Sequence, residues 1–230
     1  MTREDNRMLN TLRVIITGVA GSLGQATAAR ARELGARVVG VDIAEADGVP
    51  NVDEYHRVDL LDRGALRDCF ARLGTIDALC NIAGGFAMGD TAYDPESAQW
   101  SEMFKMNVET VRNATMAAVP LLLRRPRGAI VNVGANAALK GIATMSAYCC
   151  SKAAVMRLTE SLSGELRGRG INVNAVLPSV IDTPANRAAM PDADWSQWVT
   201  TRQLADVICF LASPGASGVH GALIPVVGLS

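Results

Sequence analysis

"TGVAGSLG", residues 17–24, stands between a short β-branched run, "LRVIIT" (12–17), and a helical stretch, "QATAARARELG" (25–35). Gly18, Gly21 and Gly24 recur every third residue, with Ser22 and Leu23 opening the helix. A strand that runs through glycines into a helix lets backbone approach a pyrophosphate at a positive helix N-terminus. Asp42, at the end of the next strand "RVVGVD" (37–42), makes that reading specific. Its carboxylate can accept both adenosine ribose hydroxyls and would repel a 2′-phosphate. No Arg or Lys follows it in "DIAEAD" (42–47), so NAD(H) is expected over NADP(H). The competing reading is a tight turn beside an unrelated surface Asp.

Outward from this turn the pattern alternates. "EYHRVDL" (54–60) reads as a third, weaker strand, and "DRGALRDCFARLG" (62–74) as a helix capped by Asp62 and ended by Gly74. "IDALCNIAG" (76–84) is a fourth strand, and a long helix is expected over about 96–123. "GAIVNVGA" (128–135) is a fifth strand, a helix follows over 146–168, and "INVNAVLP" (171–178) is a sixth. A helix over 202–212 and the strand "GALIPVV" (221–227) close the pattern. Near-continuous apolar strands imply burial on both faces, as in a parallel sheet. The expectation is an α/β, doubly wound sandwich with a central, mostly parallel sheet of seven strands. Residues 1–11 read as a polar tail and 12–230 as one domain. The poorly patterned stretch "DTPANRAAMPDADWSQW" (182–198) reads as a lid over substrate.

The bulk numbers narrow the function classes. A chain of 230 residues, 49% hydrophobic and with net charge -1, supports one sizeable core and has no basic block to grip nucleic acid. "MTREDNRMLN" lacks the apolar run of a signal peptide, and "MAAVPLLL" (116–123) is too short to span a bilayer. Cysteines 69, 80, 149, 150 and 209 show no metal spacing, and their odd number fits a reducing cytoplasm. His56 and His220 stand apart from every motif, and no metal site is expected.

Several positions line up around the glycine turn. Asp59 and Leu60 follow the third strand, where adenine could rest, although Asp59 also suits an ordinary turn. "NIAGG" (81–85) ends the fourth strand, and Asn81, Ala83 and Gly84 are candidates for contact with the nucleoside; a plain turn is the alternative. Tyr148 and Lys152, in "SAYCCSKAAV" (146–155), lie one helical turn apart and point the same way. An ammonium beside a phenol lowers the phenol's pKa and readies it for proton transfer. Asn107 falls on the stripe Trp100, Met103/Phe104, Val111, Ala114/Thr115, Ala118, Leu122, and a buried Asn there needs hydrogen-bond partners.

From residue 12 onward the chain resembles the short-chain dehydrogenase/reductase family. "TGVAGSLG", Asp59, "NIAG", Asn107 in "KMNVET", and Tyr148 with Lys152 carry the likeness. It implies a Rossmann-type fold and hydride exchange with a nicotinamide cofactor. In that family the tyrosine is the general acid/base, the lysine holds the nicotinamide ribose and tunes it, and the Asn holds a water linking the lysine to solvent. The likeness also implies cofactor contacts at Pro178 and Thr183, the latter serving otherwise as a helix N-cap before Pro184. Members commonly pair through the helices that carry Asn107 and Tyr148, so a homodimer or homotetramer is expected.

Three departures stand out: Ser22 at the middle glycine of TGxxxGxG, Pro178–Ser179 for proline–glycine, and Ala135 thirteen residues before the tyrosine. The family's serine at Ala135 bonds a substrate carbonyl. The alanine, with "GANAALKGIATMSAYCCSKAAV" and "AVLPSVIDTPANRAAMPDADW", resembles the quinonoid dihydropteridine reductase branch. There a quinonoid pterin, already electrophilic, takes the hydride and needs less polarisation. The expected pocket is Ala135, Asn136, Met145, Tyr148 and Ser179, with Trp195 and Trp198 as either ring-stacking groups or loop anchors. Two alternatives remain open: a carbonyl reductase or alcohol dehydrogenase in which Asn136 or a water replaces the serine, and an NAD(H)-binding sensor without turnover.

Overall fold

Along "RVIIT", Val14 and Ile16 pack into one apolar cluster and Ile15 into another, all three at most 1% exposed. A strand whose alternate side chains are both buried needs a layer of helices on each face. The computed structural model, which describes residues 8–45 and 49–230, has that arrangement. In chain order the main elements are β1 (Arg13–Thr17), α1 (Ser22–Glu33), β2 (Arg37–Asp42), β3 (Glu54–Arg57), α2 (Arg63–Arg72) and β4 (Ala78–Asn81). There follow α3 (Gln99–Met103), a π-helical stretch (Phe104–Glu109), α4 (Thr110–Leu122), β5 (Gly128–Val133), α5 (Ser146–Leu166) and β6 (Ile171–Pro178). The remainder is β7 (Ile181–Asp182), α6 (Pro184–Ala189), β8 (Val199–Thr200), α7 (Thr201–Leu211) and β9 (Leu223–Val226).

Seven strands pair in the order β3-β2-β1-β4-β5-β6-β9, every pair parallel. Ala28 and Ala31 of α1 and Leu204 and Ile208 of α7 cover one face. Leu66 and Phe70 of α2, Ala118 and Leu122 of α4 and Leu166 of α5 cover the other. Each fully buried Ile or Leu contributes about 1.5–3 kcal/mol. From β1 the chain winds outward first to β2 and β3, then back past β1 to β4. The carboxyl ends of β1 and β4 therefore flank a crevice where the winding reverses, the ligand position of such sheets.

The local signals were mostly sufficient. Asp62 caps α2 by accepting from the Gly64 and Ala65 amides at 3.0 and 2.9 Å, and Gly74 takes the left-handed conformation just beyond its end, at φ +78°. α7 starts on a capping box between Thr200 and Gln203.

Three expectations need correction, and a fourth stretch gains structure. The third strand stops at Arg57, because Asp59 turns the chain by accepting from the Leu61 amide. The helix expected over 96–123 begins at Gln99 and is interrupted by the π-helical stretch, and Trp100, placed on its apolar stripe, is 39% exposed. Of the polar tail expected over 1–11, residues 1–7 lie outside the described residues, while Leu9 is fully buried and its amide donates to Leu34 O. Residues 46–48 of "DIAEAD" and its continuation are likewise outside. The 182–198 stretch is folded: β7 pairs with β8, and α6 and a 3₁₀ turn (Trp195–Gln197) lie between them. No described helix is long and apolar enough to cross a membrane.

Candidate active site

The glycine turn places backbone against backbone. Gly18 sits at φ +66°, and a Cβ there would stand 2.7 Å from Ala83 Cα, so β1 and β4 can close up only around glycine. At Gly24 a Cβ would fall 2.1 Å from Gly18 O. Thr17 tightens the same junction by accepting from the Ile82 and Ala83 amides at 3.1 and 3.3 Å. Helix α1 then starts at Ser22 with Gly21 as N-cap, no capping side chain and no acidic residue in its first turn. Its N-terminal amides thus face the crevice uncapped, the arrangement that receives an anion.

A cleft of about 730 Å³ runs along this edge, within the range of ligand sites. Gly18, Gly21, Ser22, Leu23, Gly24, Asp42, Asp59, Leu60, Ala83, Gly84 and Thr183 are brought together along it. Asp42 is held toward the glycine turn, its Oδ2 accepting from the Ala20 amide at 2.9 Å and its Oδ1 from the Ile43 and Ala44 amides. Thr183 lines the cleft and caps α6 by accepting from the Asn186 amide at 3.2 Å.

Asn81 is a correction. Its side chain turns away into the core, where Nδ2 donates to Asn132 Oδ1 at 2.9 Å, and it is 1% exposed. Pro178 ends β6 as a buried residue and is not among those lining the cleft.

The chemical end adjoins the cleft at Gly84. A Cβ built there would stand 2.8 Å from Asn107 Oδ1 and 3.2 Å from Lys152 Nζ, so both side chains form the wall behind it. Lys152, 7% exposed, donates to Val133 O at 2.9 Å. Burial pushes its ammonium down to about 8. Asn107 is fully buried within the π-helical stretch. Its amide exchanges two hydrogen bonds with Gly85 and donates to Ser151 Oγ at 3.0 Å. Ser151 in turn donates to Tyr148 O. Asn107 therefore pins the loop after β4 to the helix carrying Tyr148.

The expected depression of the phenol's pKa is also corrected. Burial, and then the neighbouring Cys149, push Tyr148 up to about 12. The Lys152 ammonium goes to the Val133 carbonyl instead of the phenol. A phenol raised in this way is protonated at neutral pH, the form a proton donor requires.

Around Tyr148 the surface is apolar. Its ring meets the Phe86 ring edge-on at 4.9 Å, and it packs with Ala135, Ala138, Met156 and Leu177. Ala135 is 3% exposed, and Asn136 starts a short 3₁₀ turn beside it. Met145 precedes α5 as its N-cap. Ser179 departs from expectation: its hydroxyl donates to Val227 O at 2.8 Å. Both tryptophans anchor the loop. Trp198 is buried, while Trp195 donates to Met190 O and lies under the Arg187 guanidinium, 4.7 Å from the ring centroid.

Sequence reasoning missed Thr17, Ile43, Ile82, Phe86, Lys105, Met106 and Thr110. Phe86 was within reach of it, being the first side chain after the glycines of "NIAGG"; the residues of the π-helical stretch were not, because that bulge changes which side chains face the cleft. His56 lies 3.8 Å from Glu54 and His220 is exposed, and among the described residues no three His, Cys, Asp or Glu side chains gather as a metal site.

An uncapped helix start, a carboxylate at the end of β2 and a buried lysine one helical turn from a phenol are the features of a dinucleotide-dependent oxidoreductase. Comparison with known proteins agrees. The description "short chain dehydrogenase" matches residues 12–194. The chain is 30% identical to the 3-oxoacyl-[acyl-carrier-protein] reductase FabG of Thermotoga maritima over 93% of this chain and 95% of that one. It is also 30% identical to 2-(S)-hydroxypropyl-CoM dehydrogenase 3 of Xanthobacter autotrophicus, over 97% of each. The ligand-free aldohexose dehydrogenase of Thermoplasma acidophilum superposes with a TM-score of 0.86 at 26% identity, over 96% of this chain and 94% of that one. The chain belongs to the short-chain dehydrogenase family of NAD(P)-dependent oxidoreductases.

Proposed function

We propose that this chain is an NADH-dependent reductase of small, electron-poor acceptors, of the dihydropteridine reductase-like kind, with Tyr148 as proton donor. One observation carries the reading: a buried methyl, Ala135, packs beside the protonated phenol where relatives' chemistry would want a carbonyl-polarising hydroxyl. An acceptor that is electrophilic on its own does not need that hydroxyl.

The residues present fit a dinucleotide. At Gly18 and Gly84 a Cβ would collide with Ala83 and with Asn107 and Lys152, so bare backbone lines the cleft at both positions. Asp42 would hold the adenosine ribose and, by repelling a 2′-phosphate, select NADH over NADPH. The start of α1 would hold the pyrophosphate, and Lys152 the nicotinamide ribose. Bound NADH supplies the hydride. Tyr148 donates a proton from its hydroxyl, which has no protein partner among the described residues. Asn107 and Ser151 fix the helix that carries it. The 183–198 loop covers the acceptor beside Ala135, Asn136 and Met145 and excludes water.

A second reading, carbonyl or alcohol chemistry, is favoured by the names of the two relatives at 30% identity and by Asn136, which is partly buried next to Ala135. The free thiols fit a cytoplasmic setting. Exposed Met116 on α4 suits pairing of copies as a dimer or tetramer.

The test is NADH oxidation by the purified protein with a quinonoid dihydropterin, quinones and ketones in parallel. Turnover of the pterin and not the ketones is expected. Turnover of ketones alone would favour the second reading, and tight NADH binding with no acceptor consumed would point to a sensor.

A further inference from the structure

The segment after β9 lies across the base of the 183–198 loop. Gly228 takes φ +66°, and a Cβ on it would stand 2.9 Å from Gln197 O, Trp198 C and Val199 N. Here one stretch of backbone rests directly on another, and any side chain is excluded twice, by conformation and by space. The next amide, Leu229, donates to Gln197 O at 3.0 Å. On its other side the segment is tied to the end of β6, where Ser179 Oγ donates to Val227 O at 2.8 Å and lies 2.8 Å from Ser230 Oγ.

The point being held matters. Val199 pairs with Ile181, so the two ends of the loop are joined in the small β7–β8 sheet. Between them the loop is held mainly by its own contacts: the Arg187–Asp182 ion pair at 2.5 Å, Arg187 over Trp195, and the Asp194 turn. Its orientation is set at its base, where β7 and β8 pair.

We propose that residues 227–229 are a clamp that sets the position of the covering loop, with Gly228 and Ser179 as positioning residues. The clamp rests on the reading that this loop covers the acceptor. Loosening it weakens acceptor binding more than dinucleotide binding, because the glycine turn and Asp42 lie at the other end of the cleft and Thr183 is the loop residue that lines it.

The test uses Gly228→Ala and the milder Ser179→Ala in the full chain. Cleavage by trypsin after Arg187, now paired and stacked, is expected to speed up several-fold in both, and more in Gly228→Ala. The acceptor's KM is expected to rise by about tenfold or more for Gly228→Ala and by about three- to tenfold for Ser179→Ala, with NADH affinity falling by much less. Cleavage as slow as in the wild type in both variants would overturn the clamp. So would NADH affinity falling in step with acceptor affinity. The proteolysis needs no acceptor, so the clamp can fail or stand whether or not the pterin is a substrate.

Discussion

Lys152 holds a cation in a wall from which water is almost excluded, with the Val133 carbonyl as its one protein partner among the described residues. Its folded pKa of about 8 lies below the ordinary 10.5, so between those values the unfolded chain binds more protons than the folded one. The cost of burying this charge is full below pH 8 and fades as pH rises toward 10.5. Lys152→Met should therefore gain on the wild type in urea-unfolding free energy at pH 7, with the gap narrowing by pH 10; a gap independent of pH would refute the assignment. Thr144 is another single-residue case. It is β-branched yet sits at φ +61°, in the turn before α5, where its carbonyl accepts from the Gly89 amide. A left-handed conformation costs an L-residue roughly 1–2 kcal/mol, and glycine is free of most of that. Thr144→Gly is expected to stabilise the fold by about 1 kcal/mol in the same measurement. The spacing of Tyr148 and Lys152 was legible because helical geometry alone puts them together. Asn81 was not, since a strand end does not announce which way its last side chain turns. The pKa of Tyr148 was not either, because burial, which a sequence does not display, outweighs a lysine that donates its hydrogen bond to a carbonyl.

Among the elements, β5 and α5 carry the site between them. Asn132, fully buried in β5, accepts from Asn81 in β4 and donates to Thr159 in α5 at 2.9 Å each. The next residue, Val133, receives Lys152. This chain of buried amides fixes three elements in register at the level of the chemistry. Asn132→Ala would leave the Asn81 amide without its best acceptor, and a loss of about 1–3 kcal/mol is expected by urea unfolding. The strands and most helices could be read from apolar runs and caps, as at Asp62 and Gly74. The π-helical stretch could not, because an inserted residue in a helix leaves the composition unchanged; Trp100, ahead of it, ends up exposed, while Asn107 is enclosed as its place on the stripe implied. The loop over 182–198 also hid its order, which comes from one ion pair, one cation–π contact and two strand residues at each end and has no periodicity.

At the scale of the molecule, the parallel sheet puts every site residue at one edge. The glycine turn follows β1, Asp42 ends β2, Gly84 follows β4, Ala135 follows β5, and Thr183 lies beyond β6. Residues far apart in sequence meet there because right-handed crossovers bring each strand's carboxyl end to the same side. That is why the fold and the cofactor end could be inferred from local motifs, while the acceptor pocket, assembled from loops, could not be completed. The account's central claim is that hydride acceptance here is assisted by a proton from a buried, protonated phenol. The direct measurement is the rate of NADH oxidation by quinonoid dihydropterin in the wild type and in Tyr148→Phe, with NADH affinity determined alongside. The account predicts a fall of about 10²- to 10⁴-fold in the rate with NADH affinity retained; an undiminished rate in the phenylalanine variant would contradict it.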